Sequence, residues 1–198
     1  MIEAIILAAG MSKRMGKKNK LLLKINEHII LKQTVVNIIN ADITNCILVL
    51  GYEYKKILPE LKDLKVNTII NDDYKEGMAS SIRKGVKNLH TDTKGVMVCL
   101  ADMPLIKSST YNKMISIFNK NDSKRIILPL YNNIRGNPII FSHHYFDELI
   151  KLEGDFGAKK LIVHNEKHTY RINLMDKGII SDFDNIEQYY SYISKINE

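Results

Sequence analysis

Short apolar runs alternate with helix-period patterns along the whole chain, which predicts an α/β fold with a mostly parallel sheet and helices on both faces. Residues 2–7 are apolar at almost every position, as a strand covered on both faces requires. Stretch 8–19 is a loop broken by Gly10 and Gly16. Leu31, Val35, Ile38 and Ile39 recur near a 3.6-residue period and predict a helix over 29–41. A strand over 45–50 closes at Gly51, followed by a short helix at 54–61 and a strand at 66–70. Met78, Ile82, Val86 and Leu89 share one face of a helix over 78–89. The strand at 96–100 runs into Ala101-Asp102-Met103-Pro104, and a helix over 108–119 follows with Ser108 or Ser109 as its cap. Strands at 126–130 and 138–141 flank a turn-rich segment, helices are expected at 143–151 and 157–163, and short strands at 170–172 and 179–180. A terminal helix covers 186–196.

At 198 residues and 45% hydrophobic content the chain can bury a full core, and one domain over 1–198 is expected. Nothing approaches the roughly 20 apolar residues of a membrane helix. The apolar run at 4–9 follows Glu3 and lacks a basic leader, so a soluble, cytoplasmic protein is expected. Cys46 and Cys99 have no CxxC spacing and read as small core residues. The net charge of +7 matters by its location: Lys13, Arg14, Lys17, Lys18, Lys20 and Lys24 face Glu3 alone within residues 1–24, an excess of five. The cluster is tied to glycines and lacks interleaved aromatics, which favours a small phosphate ligand over nucleic acid or a membrane surface. A lysine-rich solvated face is the plain alternative.

Four segments carry candidate chemistry. Leu7-Ala8-Ala9-Gly10-Met11-Ser12-Lys13-Arg14-Met15-Gly16, ending at Lys20-Leu21, leaves the carboxyl end of the first strand, where open α/β sheets bind ligands. Five residues separate its glycines and Lys17-Lys18 follows, so it is neither a Walker A loop nor a GxGxxG fingerprint. It is a phosphate loop of another kind or a surface loop. Asn71 to Ser81 runs from a strand into a helix start, where Ser80 and Ser81 either meet an anion or base edge or simply cap the helix. Asp102, just past a buried strand, is sited to hold Mg²⁺, a hard cation, or to cap a helix. Asp182 and Asp184 share one side of an extended segment and could supply a second carboxylate to that metal, and Asp184 equally reads as the cap of the terminal helix. Arg135-Gly136-Asn137-Pro138 and Gly154-Asp155-Phe156-Gly157 are polar turns suited to bordering a pocket. No nucleophile elbow or Cys–His signature is present.

In this order the four segments resemble the nucleotidyltransferase family of glycosyltransferase-A-like fold, and within it the molybdenum cofactor cytidylyltransferase branch. The resemblance spans nearly the whole chain and implies a single three-layer Rossmann-like domain. It implies that Leu7, Ala8, Ala9, Gly10, Ser12, Arg14 and Lys20 surround a triphosphate, and that Asn71, Gly77 and Ser81 border base and ribose. Arg14, Lys20 and Asp102 would be catalytic, Asp102 and Asp184 would hold Mg²⁺, and Asn137 and Asp155 would lie near the second substrate. The implied reaction is transfer of CMP from CTP to the terminal phosphate of a phosphorylated pterin cofactor, with a molybdoenzyme receiving the product. Ala9, where the guanylyl branch has Gly, leans toward CTP; Asn137, where the family often has His, leaves the acceptor pocket open. Nucleotidyl transfer to another phosphorylated small molecule, GTP use, and a non-catalytic nucleotide-binding module stay as alternatives.

Overall fold

The computed structural model describes residues 1–12, 18–25, 27–121, 125–183 and 185–196. In chain order the elements are β1 (Ile2–Ala8), the short strands β2 (Lys24–Ile25) and β3 (His28–Ile29), α1 (Ile30–Ile39), β4 (Asn45–Leu50), α2 (Tyr54–Ile57), β5 (Asn67–Ile70), α3 (Met78–Val86) and β6 (Gly95–Leu100). They continue with α4 (Ser108–Lys120), β7 (Ile126–Tyr131), β8 (Ile134–Arg135), β9 (Ile139–Ser142), α5 (Phe146–Leu149), α6 (Lys159–His164), β10 (Thr169–Asn173) and α7 (Ile186–Ile196). The main sheet runs β10-β7-β9-β6-β1-β4-β5, with β8 added to β7. Its pairings are parallel except where β9 meets β6 and β7 and where β8 meets β7.

The period-2 alternation of β1 sorts its side chains into two cores. Ala4, Ile6 and Ala8 pack with Ile30, Leu31, Val35 and Ile38 of α1 and with Tyr111 and Met114 of α4. Ile5 packs on the other face with Ile82 and Val86 of α3, Leu149 of α5 and Leu161 of α6. The sheet is thus the middle of three layers, as the alternation predicts. Among the described residues no helix is long and apolar enough to cross a membrane.

Three local expectations change. Residues 179–180 are not a strand: Lys177–Ile180 is a 3₁₀ turn, capped by Asp176 accepting from Gly178 N at 2.9 Å. A Cβ on Gly178 would fall 2.5 Å from the Leu105 carbonyl oxygen, so the turn is packed hard on the loop after β6. Neither Ser108 nor Ser109 caps α4. Asp176, distant in sequence, accepts from Lys107 N at 3.0 Å and Thr110 Oγ1 at 2.6 Å, while Ser108 donates to the Asn37 carbonyl at 2.8 Å. The turn-rich segment is a tight hairpin, in which Asn132 and Asn133 take φ of 47° and 63° between β7 and β8. Two left-handed residues match the twist of the flanking strands.

Glu3, fully buried in β1, holds the end of the sheet away from these loops. Its carboxylate accepts from Asn45 Nδ2 at 2.6 Å, from His90 N at 2.8 Å and from the Thr93 hydroxyl. Glu3→Ala strands those donors in the interior. We expect a loss of about 3 kcal/mol, because an unsatisfied buried donor costs roughly 1–3 kcal/mol. That corresponds to a thermal midpoint lower by roughly 6–12 °C, measured by calorimetry, with Glu3→Gln in between. An unchanged midpoint would mean that the loop at 90–93 does not depend on this carboxylate.

Candidate active site

The parallel strands deliver their following loops to one carboxyl edge. At that edge Leu7 is half-buried and accepts from Ala101 N through its carbonyl at 3.2 Å, which brings the exits of β1 and β6 side by side. Ala8 and Ala9 are buried, and the Ala9 carbonyl accepts from Tyr52 N at 3.2 Å. Gly10 is exposed, and a Cβ there would meet nothing within 4 Å among the described residues. Among the described residues no packing demand accounts for a glycine at this position, and a glycine lets a ligand approach the backbone amides closely.

Ser12 turns the chain at φ 51°, and its hydroxyl accepts from the backbone N–H of Lys20 at 3.3 Å. Lys20 opens the 3₁₀ turn Lys20–Leu22, which Asn19 caps by accepting from Leu21 N at 3.1 Å. Buried Leu21 anchors the turn in the core, and Tyr189 of α7 braces the same segment by donating to the Lys24 carbonyl at 2.7 Å. From this fixed backbone the Lys20 ammonium reaches Asp102 and forms an ion pair. The two side chains are 18% and 12% exposed. Desolvation offsets much of the attraction in so sheltered a pair, so its chief consequence is positional.

Asp102 stands two residues past the end of β6. Asn37 of α1 donates to the Pro104 carbonyl at 2.8 Å and the Ile106 carbonyl at 2.9 Å, which pins the loop that carries it. Capping of α4 does not account for Asp102, since that helix begins at Ser108 and Asp176 bonds its first turn. Arg14 and Asp184 lie outside the described residues. Among the described residues no three His, Cys, Asp or Glu side chains converge as a metal cage.

A second hydrogen-bonded group lies past β5. Asn71 Nδ2 donates to Ser80 Oγ at 2.8 Å and Ser81 Oγ at 3.0 Å, and its Oδ1 accepts from Asp73 N at 3.2 Å. All three side chains are buried, and they brace the loop at 71–77 against α3. Ser80 also donates to the Gly77 carbonyl at 2.9 Å. Gly77 has φ 99°, and a Cβ there would fall 2.8 Å from the Gly154 backbone. Asp155 completes the group by accepting from Met78 N at 3.1 Å, capping α3 from a distant loop. Asn137 donates its N–H to the Ile179 carbonyl at 2.8 Å. The register of Val98 against Ile139 sets it at the edge where β6 delivers Asp102.

The structure therefore joins Ser12, Lys20 and Asp102 in one group and Asn71, Ser81, Gly77 and Asp155 in another, while Asn137 docks on the turn at Ile179. Sequence reasoning missed Asn19 and Asn37. Asn19 carries a readable signal, since an Asn side chain bonding the amide two residues on is a standard turn device. Asn37, in the last turn of α1, carries none. The thiols take no part in nucleophilic chemistry: burial pushes Cys46 up to about 12 and Cys99 well above its ordinary value.

A sequence model described as the MobA-like NTP transferase domain matches residues 4–169. The molybdenum cofactor cytidylyltransferase of Escherichia coli (strain K12) is 28% identical over 189 residues, covering 95% of this chain and 93% of that protein. Nicotine blue oxidoreductase of Paenarthrobacter nicotinovorans is 22% identical over 200 residues, covering 96% and 95%. Among solved structures, Rv0371c from Mycobacterium tuberculosis H37Rv is 25% identical with a TM-score of 0.82, covering 98% of this chain and 97% of its own. Its complex with manganese is matched at a TM-score of 0.79 and 24% identity, with 98% of each chain covered. With the match spanning the sheet from β1 into the start of β10, and with a lysine and a carboxylate meeting where β1 and β6 end, this chain belongs to the family of MobA-like NTP transferase domains and is an enzyme of the nucleotidyltransferase type.

Proposed function

We propose that the enzyme transfers CMP from CTP to the terminal phosphate of a phosphorylated pterin such as the molybdenum cofactor, releasing pyrophosphate. The observation that carries the reading is the meeting of Lys20 and Asp102, with Lys20 tied to Ser12 of the loop that leaves β1. An acceptor phosphate oxygen forms the new bond to the α-phosphorus as the bond to the departing pyrophosphate breaks in line. Catalysis then consists of positioning and charge neutralisation, with no side-chain nucleophile. The Gly10 segment would approach the phosphates, and Lys20 with Arg14 would hold the leaving pyrophosphate. Asp102, with Asp184, would hold Mg²⁺. Among the described residues no cage of three or more ligands surrounds Asp102, which fits an ion that takes one or two carboxylates and completes its shell with substrate phosphates and water. When bound, the ion supplies neutralisation of developing phosphate charge. A protein of the same fold, Rv0371c, has been solved in complex with manganese, which supports a divalent cation as cofactor.

The E. coli relative supports both the cytidine nucleotide and the pterin acceptor. The relative named as an oxidoreductase favours a second reading, in which the same fold serves oxidoreductase chemistry. Pyrophosphate release from each of four NTPs, with phosphorylated pterin and sugar or polyol phosphates as acceptors and Mg²⁺ or Mn²⁺ present, separates them. We expect release with CTP and the pterin. Release only with GTP or a sugar phosphate would move the assignment within the nucleotidyltransferases, and no release with any pair would discard transfer.

A further inference from the structure

Lys20 and Asp102 hold each other, yet the proposed reaction asks each to hold something else. The ammonium lies on Asp102 Oδ2, and both side chains are largely sheltered from water. The Lys20 backbone is fixed through Ser12 and the Asn19-capped turn, and the Asp102 loop is pinned by Asn37. The lysine's four-carbon stem has more rotatable bonds than the backbone that carries it, and its ammonium is a point charge with rotatable donors. Among the described residues no group of three or more acidic, histidine or cysteine side chains forms a metal cage elsewhere.

We propose that Lys20 gates the metal site: in the nucleotide-free protein its ammonium occupies the Asp102 carboxylate, and the phosphates of an arriving nucleotide draw it off, freeing Asp102 for a divalent cation. The proposal rests on the nucleotidyltransferase reading above. A polyphosphate is the one substrate component that satisfies both cations, accepting the lysine on its leaving phosphates and sharing the dication with Asp102. Nucleotide and metal would then bind with positive, reciprocal coupling. The lysine would also keep a lone dication from occupying the carboxylate before substrate arrives.

Electron paramagnetic resonance of free Mn²⁺ tests this without turnover. Mn²⁺ is titrated into wild-type protein alone, wild type with the α,β-methylene analogue of CTP, Lys20→Met alone, and the Lys20→Met/Asp102→Asn double variant alone. Lys20→Met is expected to bind Mn²⁺ about ten- to a hundredfold more tightly than wild type, the equivalent of one hydrogen bond to a charged group. The double variant is expected to lose that gain, and the analogue is expected to tighten Mn²⁺ binding by wild type beyond its own chelation. Equal affinity of wild type and Lys20→Met without nucleotide overturns the gate. If Lys20→Met does not fold by circular dichroism, Lys20→Gln, which keeps a donor for Asp102 but no charge, takes its place under the same criterion. An analogue that does not bind, alongside a metal gain in the variant, would sink the nucleotide reading and leave the competition for Asp102 standing.

Discussion

Asp102→Asn is expected to lower pyrophosphate release by at least about a thousandfold, the scale at which loss of a strong electrostatic stabiliser is felt in phosphoryl chemistry. Asp102→Ala should do the same. Asparagine keeps the shape and an oxygen acceptor but removes the negative charge, and the charge is what a dication requires. The fold should survive the change. The loop is held by Asn37 bonds to Pro104 and Ile106, and buried Ala101 and Met103 flank the site, none of which involves the carboxylate. The long Lys20 stem can turn its ammonium toward water once the Asp102 charge is gone. The thermal midpoint should therefore stay within about 4 °C of wild type, the shift produced by about 1 kcal/mol in a chain of this size. Turnover close to wild type in Asp102→Asn, or turnover without any divalent cation, would remove this residue from the metal site. Collapse of the midpoint together with activity would make it a structural residue instead.

How far the sequence carries depends on whether a feature is local. The three layers were legible because β1 is apolar on both faces while the helices facing it repeat near 3.6 residues, and the observed cores lie on either side of that strand. The loop carrying Lys20 was legible because its glycines and charge follow a strand directly. Asp102 was legible for the same reason. Features that depend on distant partners were not. Asp176 lies more than sixty residues from the helix start it serves, so the serines at 108 and 109 gave the stronger local signal for a cap. Asp155 reads as a pocket residue in its own loop, but its role on Met78 is set by the packing of Gly77 against Gly154. Residues 179–180 are apolar and look strand-like, yet a 3₁₀ turn buries them against the loop after β6, a demand written at Leu105 and Gly136 rather than locally. The Lys20–Asp102 pair falls between these cases: each residue was named for a separate role, and the direct bond between them appears only when β1 and β6 are set side by side.

That bond gives the lysine cluster its sharpest test. Lys18 and Lys20 are two residues apart in the same basic stretch, so a diffuse attractive field would treat them alike. Their surroundings differ: Lys18 is exposed, whereas Lys20 is sheltered, fixed at its backbone and directed at the carboxylate. Lys20→Ala is expected to lower kcat/KM by roughly a hundred- to a thousandfold, the effect of deleting one preorganised donor at developing charge. Lys18→Ala should change it by less than about threefold, and that change should shrink with added salt because exposed charges are screened over about 8–10 Å. Equal effects from the two substitutions would reduce the cluster to a long-range field. The sign of a second measurement adds to the contrast. Removing the ammonium should tighten Mn²⁺ binding to the nucleotide-free protein while turnover falls. A residue that merely supported the fold would weaken both, and one that merely attracted anions would leave the metal untouched. Only a lysine that holds the carboxylate before substrate arrives and the phosphates afterwards moves the two quantities in opposite directions.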